Sequence, residues 1–403
     1  MKGPLAGIKI LDLTSVVLGP FATHILSSLG AQVIKIESKD GDTMRHVGPM
    51  KNAGMGHIFM HANSNKQSVV LDLKSPDGLE AALRLASDCD VLISNVRPAA
   101  MARLGLDFES VKKRSPRIIY VSCCGFDQDG PYAAKPAYDD LIQGAVGVPW
   151  LMKQYGSPEP CYAPVTLADR VTGLHAVYTV TTALFERERF ERENPNTPWG
   201  GTAIVVPMFE ALTQFVLGDH LSGASYEPPI GDAGYARLLT PHRKPYKTAD
   251  GYLCVLIYND KHWHSFFNAV PEAKLLQTDP RFMTHTARAD NIDAVYAEVS
   301  RLMQTRTSSQ WRALLEQADI PNMPINSPED LLNDPHHAAT GFIQTFEHPT
   351  EGTMRMVGNP TKWSNHPMPA KPQPAPSLGQ HTREVLSQLG YDDATIQKMM
   401  DAR

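Results

Sequence analysis

Residues 7–37 read GIKILDLTSVVLGPFATHILSSLGAQVIKIE, and this stretch decides the fold. GIKILDL (7–13) and AQVIKIE (31–37) are apolar runs of strand length. Between them a helix is bounded by Pro20 in its first turn and Gly30 just past its end, the usual start and stop signals. The alternation continues with SVVLDL (68–73), then a helix opened by Ser75-Pro76 and bearing Leu79, Leu83 and Leu85. DVLIS (90–94), a helical stretch from Pro98 and RIIYVS (117–122) complete the series. Strands alternating with helices imply a parallel sheet covered on both faces.

Beyond a loop rich in Gly, Pro and Asp (125–137), helices are expected over 138–147, from Ala168 to about residue 190, and over 207–222. In the second of these Val171, Leu174, Val177, Val180 and Leu184 recur every three or four residues. The charged run RERFEREN (187–194) reads as the solvated end of that helix rather than a binding patch. At 224–250 the composition shifts to Pro, Gly and Tyr, a linker into a smaller domain that begins with TADGYLCVLIY and is mostly helical over 260–335. A Pro-rich stretch, 366–376, leads to a C-terminal helix after Gly379-Gln380-His381-Thr382. At roughly 100–200 residues per domain, 403 residues imply two domains.

Composition excludes several classes. Hydrophobic residues make up 42% and charged residues 20%, an ordinary globular balance. A formal charge of −5 gives no electrostatic reason to expect nucleic acid or an anionic membrane as partner. Five cysteines (Cys89, Cys123, Cys124, Cys161, Cys254) without C-x-x-C suggest neither a disulfide framework nor a zinc ribbon. Fifteen histidines show no metal-ligand spacing, and His336-His337 reads as a loop pair, so no metal site is expected. No N-terminal signal pattern and no apolar run of membrane-spanning length occur, so a cytoplasmic enzyme is the expectation.

The turn after the first strand, TSVVLGP, has one glycine where a dinucleotide fingerprint needs three, which argues against NAD. G-x-S-x-G and P-loop patterns are absent. More informative is APVTLADRVTG (163–173). Thr166 is placed to cap the following helix, with Asp169 in its first turn. Taken alone, Asp169 reads more readily as the partner in a capping pair that balances the helix dipole. The chemical reading is that helix N–H groups hold Asp169 ionised and aimed at a substrate. Such a carboxylate attacks a thioester to form a mixed anhydride, and the same amides stabilise the oxyanion.

The surrounding motifs resemble the class III coenzyme A transferases (the CaiB/BaiF family), the formyl-CoA:oxalate and succinyl-CoA:dicarboxylate group. They run nearly end to end: LAGIKILDLTSVVLGPFAT, LGAQVIKIES-x-x-GD, NSNKQSVVLDLK, DVLISNVRPAAMARLGL, CCGFDQDGPYAAKPAYDDLIQGAVG, VTLADRVTGLHA, MFEAL, PYKTADGY, IPNMPI, EHPTEG and LGQHT. Their order and spacing carry the resemblance.

The resemblance implies an α/β fold: a Rossmann-like parallel sheet in a large domain built from both chain ends (1–222 and 331–403), and a smaller α+β domain with its linker at 223–330. It implies an interlocked homodimer in which each subunit forms a ring threaded by its partner. The catalytic aspartate follows a Leu-(Ala/Gly)-Asp segment, which matches Asp169. Coenzyme A contacts carry over to Val17, Leu18, Leu71, Lys74, Asn95, Val96, Arg97, Arg103, Ala137, Tyr138 and Asp139, with Lys135 close by. The basic residues suit a ligand bearing a 3′-phosphate and a diphosphate. Coenzyme A enters as substrate, and no tightly bound cofactor is implied. Two departures stand out. Ser38 occupies a position that is often basic in the family. The four-glycine run of the oxalate enzymes is absent from 225–260, which argues against oxalate as acceptor. LLTPHRKPY stands there instead, making His242 and Arg243 candidates for reading an acceptor carboxylate.

The α-methylacyl-CoA racemases resemble the chain over the same length. Their proton-transfer histidine aligns with Tyr138, and an unperturbed phenol titrates near 10, too high for an effective base at neutral pH. A non-catalytic acyl-CoA-binding protein is a third reading, favoured if Asp169 proves dispensable. The expected reaction is transfer of coenzyme A from an acyl-CoA donor to a carboxylic acid through an aspartyl anhydride and an aspartyl-CoA thioester, with small linear acids such as succinate as donor acid.

Overall fold

The computed structural model describes residues 3–366 and 372–401, so residues 367–371 of the expected Pro-rich segment lie outside the described residues. The chain divides into two compact units. The first comprises residues 1–146, 163–214 and 336–403, and the second residues 147–162 and 215–335.

The first unit begins with β1 (Lys9–Leu13), α1 (Leu18–Ser28), β2 (Gln32–Glu37), α2 (His57–Asn63), β3 (Lys66–Val70), α3 (Pro76–Ser87) and β4 (Val91–Ser94). It continues with α4 (Pro98–Leu104), α5 (Phe108–Lys112), β5 (Ile119–Cys124) and α6 (Asp139–Ala145). After α7 (Val148–Tyr155), which falls in the second unit, come α8 (Leu167–Glu193), β6 (Thr202–Pro207) and α9 (Met208–His220), whose residues from Phe215 on belong to the second unit. The six strands form one parallel sheet in the order β3-β2-β1-β4-β5-β6.

The helix signals act as expected. Ser75 accepts the N–H of Gly78 and Pro76 opens α3. Gly105 closes α4 in the left-handed conformation. The third strand lies two to three residues earlier than its apolar run suggests, because Lys66 and Ser68 are buried members of it. β6 is a strand that the sequence pattern does not mark, since the helix that follows TAIVVP at once dominates the pattern.

Strand alternation sorts the two faces. Leu11, Leu13, Ile34, Ile36 and Val69 pack against Leu85 of α3 and against Leu386 and Ile396 near the C-terminus. The alternate positions Asp12, Lys35, Glu37, Lys66 and Ser68 are buried on the opposite face, toward α1 and α2. There Lys66 Nζ lies 3.1 Å from Asp12 Oδ2, Lys35 Nζ 3.0 Å from Asp42 Oδ2, and Arg45 2.7 Å from Glu37. Three acids meet three bases in a set at most 1% exposed at any side chain. Burial would raise the Asp12 carboxyl, but Lys66 and Lys35 beside it hold it at about 2.

The chain returns through α16 (Pro335–Thr340), the hairpin β10 (Ile343–His348) and β11 (Gly352–Val357), α17 (Thr382–Gln388) and α18 (Asp393–Asp401). Thr382 and His381 accept the N–H groups of Val70 and Ser68, and Arg45 donates to the Pro376 carbonyl, so the last segment docks on β3 and the buried ion pairs.

The second unit includes α10 (Ala236–Leu239) and the antiparallel sheet of β7 (Tyr246–Lys247), β8 (Tyr252–Val255) and β9 (Asn322–Pro324). Its helices are α11 (Asp260–Ala269), α12 (His285–Asp290), α13 (Ile292–Met303), α14 (Ser308–Gln317) and α15 (Pro328–Leu332). Its core is aromatic, built on Trp263, Phe266, Phe282 and Trp311. Among the described residues no helix is long and apolar enough to cross a membrane.

Removing one member of the buried ion set should cost far more than removing a surface pair. Lys66→Met leaves Asp12 short of its partner and is expected to lower stability by about 3–5 kcal/mol. Lys9→Ala, which breaks the exposed pair with Asp88, should cost under about 1 kcal/mol. Urea unfolding of both variants checks this. Because the Asp12 pKa is depressed when folded, its contribution is present above pH ~4 and lost as pH falls toward 2.

Candidate active site

A parallel sheet in this order reverses its winding between β1 and β4, and ligands bind in the crevice at the carboxyl ends of those strands. The turn after β1 is clamped residue by residue. Asp12 accepts the Thr14 N–H, Lys35 donates to the Thr14 carbonyl at 2.6 Å, and Asn95 bonds both the N–H and the carbonyl of Ser15. Asp42 accepts the Val16 N–H. Val16 sits at φ 71°, which a β-branched residue rarely adopts and which costs about 1–3 kcal/mol. Gly19 lets the chain enter α1, since a Cβ there would meet Thr14 Cβ at 2.2 Å. α1 then starts with no side-chain cap and no acid in its first turn, leaving its leading amides free for an anionic group.

Two cavities open at this crevice, and Ser15 lines both. The larger, about 590 Å³, is bounded by Leu71, Lys74, Val96 and the Ser38–Asp42 turn. The smaller, about 260 Å³, is bounded by Leu18, Asn95, Arg97, Cys124, Lys135, Ala137, Tyr138 and Asp169.

Asp169 occupies the first turn of α8. Gly173, one turn on, admits the start of α1: a Cβ there would lie 3.0 Å from the Leu18 carbonyl oxygen. The two helix starts therefore meet at the smaller cavity. The capping arrangement differs from the one expected. Thr166 makes no side-chain cap bond. The carboxylate of Asp139, from the start of α6, accepts the Asp169 N–H at 2.9 Å. Gln143, fully buried, donates to Asp139 at 2.7 Å and to the Val165 carbonyl, and accepts the Ala163 N–H. An acid from another helix thus takes the role assigned to Thr166.

The expected electrostatics are also corrected. No donor among the described residues bonds the Asp169 carboxylate, so helix amides do not hold it ionised. Burial, with the Asp139 charge adding to it and Arg170 opposing, pushes the Asp169 carboxyl up to about 7. Cys124, in the same cavity, is pushed by burial to about 11 and stays a thiol. Near pH 7 Asp169 is about half ionised, so of these two groups it is the one that supplies an anion.

The remaining expected residues divide between the cavities. Leu71, Lys74 and Val96 line the larger one. Leu18, Arg97, Lys135, Ala137 and Tyr138 line the smaller, with Asn95, whose side-chain amide is committed to Ser15. Lys135 lies 3.7 Å from the Tyr132 ring centre. Val17 is buried at the cap of α1. Arg103 is exposed in the last turn of α4 and lines neither cavity. Asp139 acts through the Asp169 backbone instead of facing the cavity. Ser38 does line the larger cavity, but so does Lys39, which restores a cation one position on. His242 and Arg243 lie in the second unit, where Arg243 lines a cavity of about 400 Å³ that His242 does not border. Lys35, Asp42 and Gln143 escaped sequence reading because nothing local marks a buried Lys, Asp or Gln as one that holds a turn. Among the described residues no group of His, Cys, Asp and Glu is arranged to hold a metal ion.

The chain is similar to known proteins over nearly its whole length. Residues 5–382 match the profile of CoA-transferase family III. The succinyl-CoA:glutarate CoA-transferase of Mus musculus is 31% identical over 401 residues, spanning 98% of this chain and 89% of that protein. A formyl-CoA:oxalate CoA-transferase of Escherichia coli is 30% identical over 415 residues, 99% of each chain. A solved CaiB/BaiF family protein from Brucella suis superposes with a TM-score of 0.79 at 28% identity, covering 96% of this chain and all of that one. With a matching profile over most of its length and relatives aligned nearly end to end, the chain belongs to CoA-transferase family III and is a CoA-transferring enzyme.

Proposed function

We propose that the enzyme moves coenzyme A from an acyl-CoA to a free carboxylic acid with Asp169 as the covalent relay. The observation that carries this is a half-buried carboxylate, without a hydrogen-bond donor among the described residues, facing the cavity where two helix starts meet. Coenzyme A would lay its nucleotide in the larger cavity, with Lys39 and Lys74 near its phosphates, and its thiol end in the smaller. Arg97 and Lys135 line the path to Asp169.

In the first step an Asp169 oxygen attacks the acyl-CoA carbonyl, the C–S bond breaks, and a mixed anhydride and CoA thiolate form. The thiolate attacks the Asp169 carbonyl, releasing the donor acid and leaving an aspartyl-CoA thioester. The acceptor carboxylate then repeats the sequence in reverse and restores Asp169. The leading amides of α1 are suited to the oxyanion of each addition. A small linear dicarboxylic acyl group such as succinyl is the donor we favour, and the missing glycine run argues against oxalate as acceptor. Tyr138, where racemases carry histidine, argues against α-proton exchange.

The resemblance to this family carries the homodimer reading. Leu174, Tyr178 and Phe185 on α8 are each more than half exposed, a partly apolar face that a second copy would cover.

Incubation with succinyl-CoA and hydroxylamine should place a hydroxamate on the peptide carrying Asp169, and Asp169→Ala should lower turnover by on the order of 10³-fold or more. Unmodified Asp169 in a protein that exchanges α-protons of 2-methylacyl-CoA in deuterated water would overturn the reading. The ionised fraction of Asp169 rises with pH through about 7, so kcat/KM for the acyl-CoA should fall below that pH. Asp139→Asn keeps an acceptor for the Asp169 N–H but removes a neighbouring charge. The acid limb of that profile should then move to lower pH.

A further inference from the structure

The second unit has a cavity of its own, about 400 Å³. Val255, Ile257, Trp263 and Val299 give it an apolar wall, while Arg237, Arg243 and Lys244 supply charge of one sign only. The pairing of this unit's arginines singles the cavity out. Arg281, Arg288, Arg301, Arg306 and Arg312 each lie against a carboxylate. Arg237 and Arg243, the other two arginines of this unit, show no ion pair with a carboxylate among the described residues, and both line the cavity. Both are held in place by aromatic groups. The Arg237 guanidinium lies 5.2 Å from the Tyr258 ring centre and beside the phenols of Tyr235 and Tyr296. The Tyr155 hydroxyl donates to the Arg243 carbonyl, pinning that backbone to α7.

We propose that this cavity binds the free acid substrate, a carboxylate on a short hydrocarbon chain, through Arg237 and Arg243. A guanidinium fork matches a carboxylate in bidentate fashion. The apolar wall opposite would cover methylene groups, for which inorganic phosphate has no counterpart. Lys244 adds charge at the rim, which favours an acid with a second carboxylate. The part played in turnover rests on the transferase reading above; the binding site does not.

The test uses the full-length protein with glutarate as probe, and inorganic phosphate and free coenzyme A as competitors for the same chemistry. Arg237→Gln and Arg243→Gln, each with an unchanged melting temperature, are expected to weaken calorimetric glutarate binding tenfold or more. They should raise KM for the acid to the same extent, leaving kcat at saturating acid within about twofold. Hydroxamate formation at Asp169 from the acyl-CoA should be unchanged. Glutarate binding and KM that survive both substitutions overturn the proposal, as does loss of coenzyme A or phosphate binding with glutarate binding intact. Should Arg237→Gln fail to fold, the exposed Arg243→Gln carries the test alone. Loss of glutarate binding in the variants of a protein that never labels at Asp169 would sustain the site and sink the covalent mechanism.

Discussion

Three buried acids facing three buried bases on one side of the sheet are the constraint on which the site depends. Asp12, Glu37 and Asp42 meet Lys66, Arg45 and Lys35 away from water. Stability alone does not explain such a set, because apolar replacements of the same volume often do as well. Position does. Lys35 reaches the Thr14 carbonyl and Asp42 the Val16 N–H, so the pairs hold a strained turn where the winding of the sheet reverses. Arg45 extends the hold to the returning chain through Pro376. Ion pairs fixed by neighbouring strands give that turn a rigidity that loop residues could not supply among themselves.

The second constraint is electrostatic and sits at the start of α8. A helix N-terminus stabilises a carboxylate by about 0.3–1 kcal/mol. A carboxyl raised from 3.8 to about 7 reflects opposing effects of a few kcal/mol, so burial and the Asp139 charge outweigh the dipole. Asp139 takes the capping bond and Gln143 locks Asp139, while no donor among the described residues bonds the Asp169 side chain. A carboxylate in that state is a better nucleophile than one buried in hydrogen bonds.

The parallel sheet was legible because its signals are local: apolar runs of strand length, Pro20 and Gly30 around a helix, and Ser75 as a cap. β6 was not, since six residues followed at once by a helix carry too little pattern. Asp169 was legible through its segment, yet its environment was misread. Thr166 stands at capping distance in sequence, while the group that caps comes from 30 residues away. Likewise Asn95 was readable as a site residue, but that its amide holds Ser15 depends on which strands are neighbours. Arg237 is not marked in the sequence, because an arginine held by phenols instead of a carboxylate differs from its neighbours only in the folded chain.

A covalent relay through Asp169 requires that this residue exchange an oxygen with its substrates. Supplying the acceptor acid with both carboxylate oxygens as ¹⁸O and mapping the protein by mass spectrometry tests it directly. The peptide carrying Asp169 is expected to gain one ¹⁸O during turnover and to pass it to the released donor acid. Label moving from acceptor to donor acid with Asp169 left unlabelled would contradict it, since the two acids would then have formed an anhydride with each other.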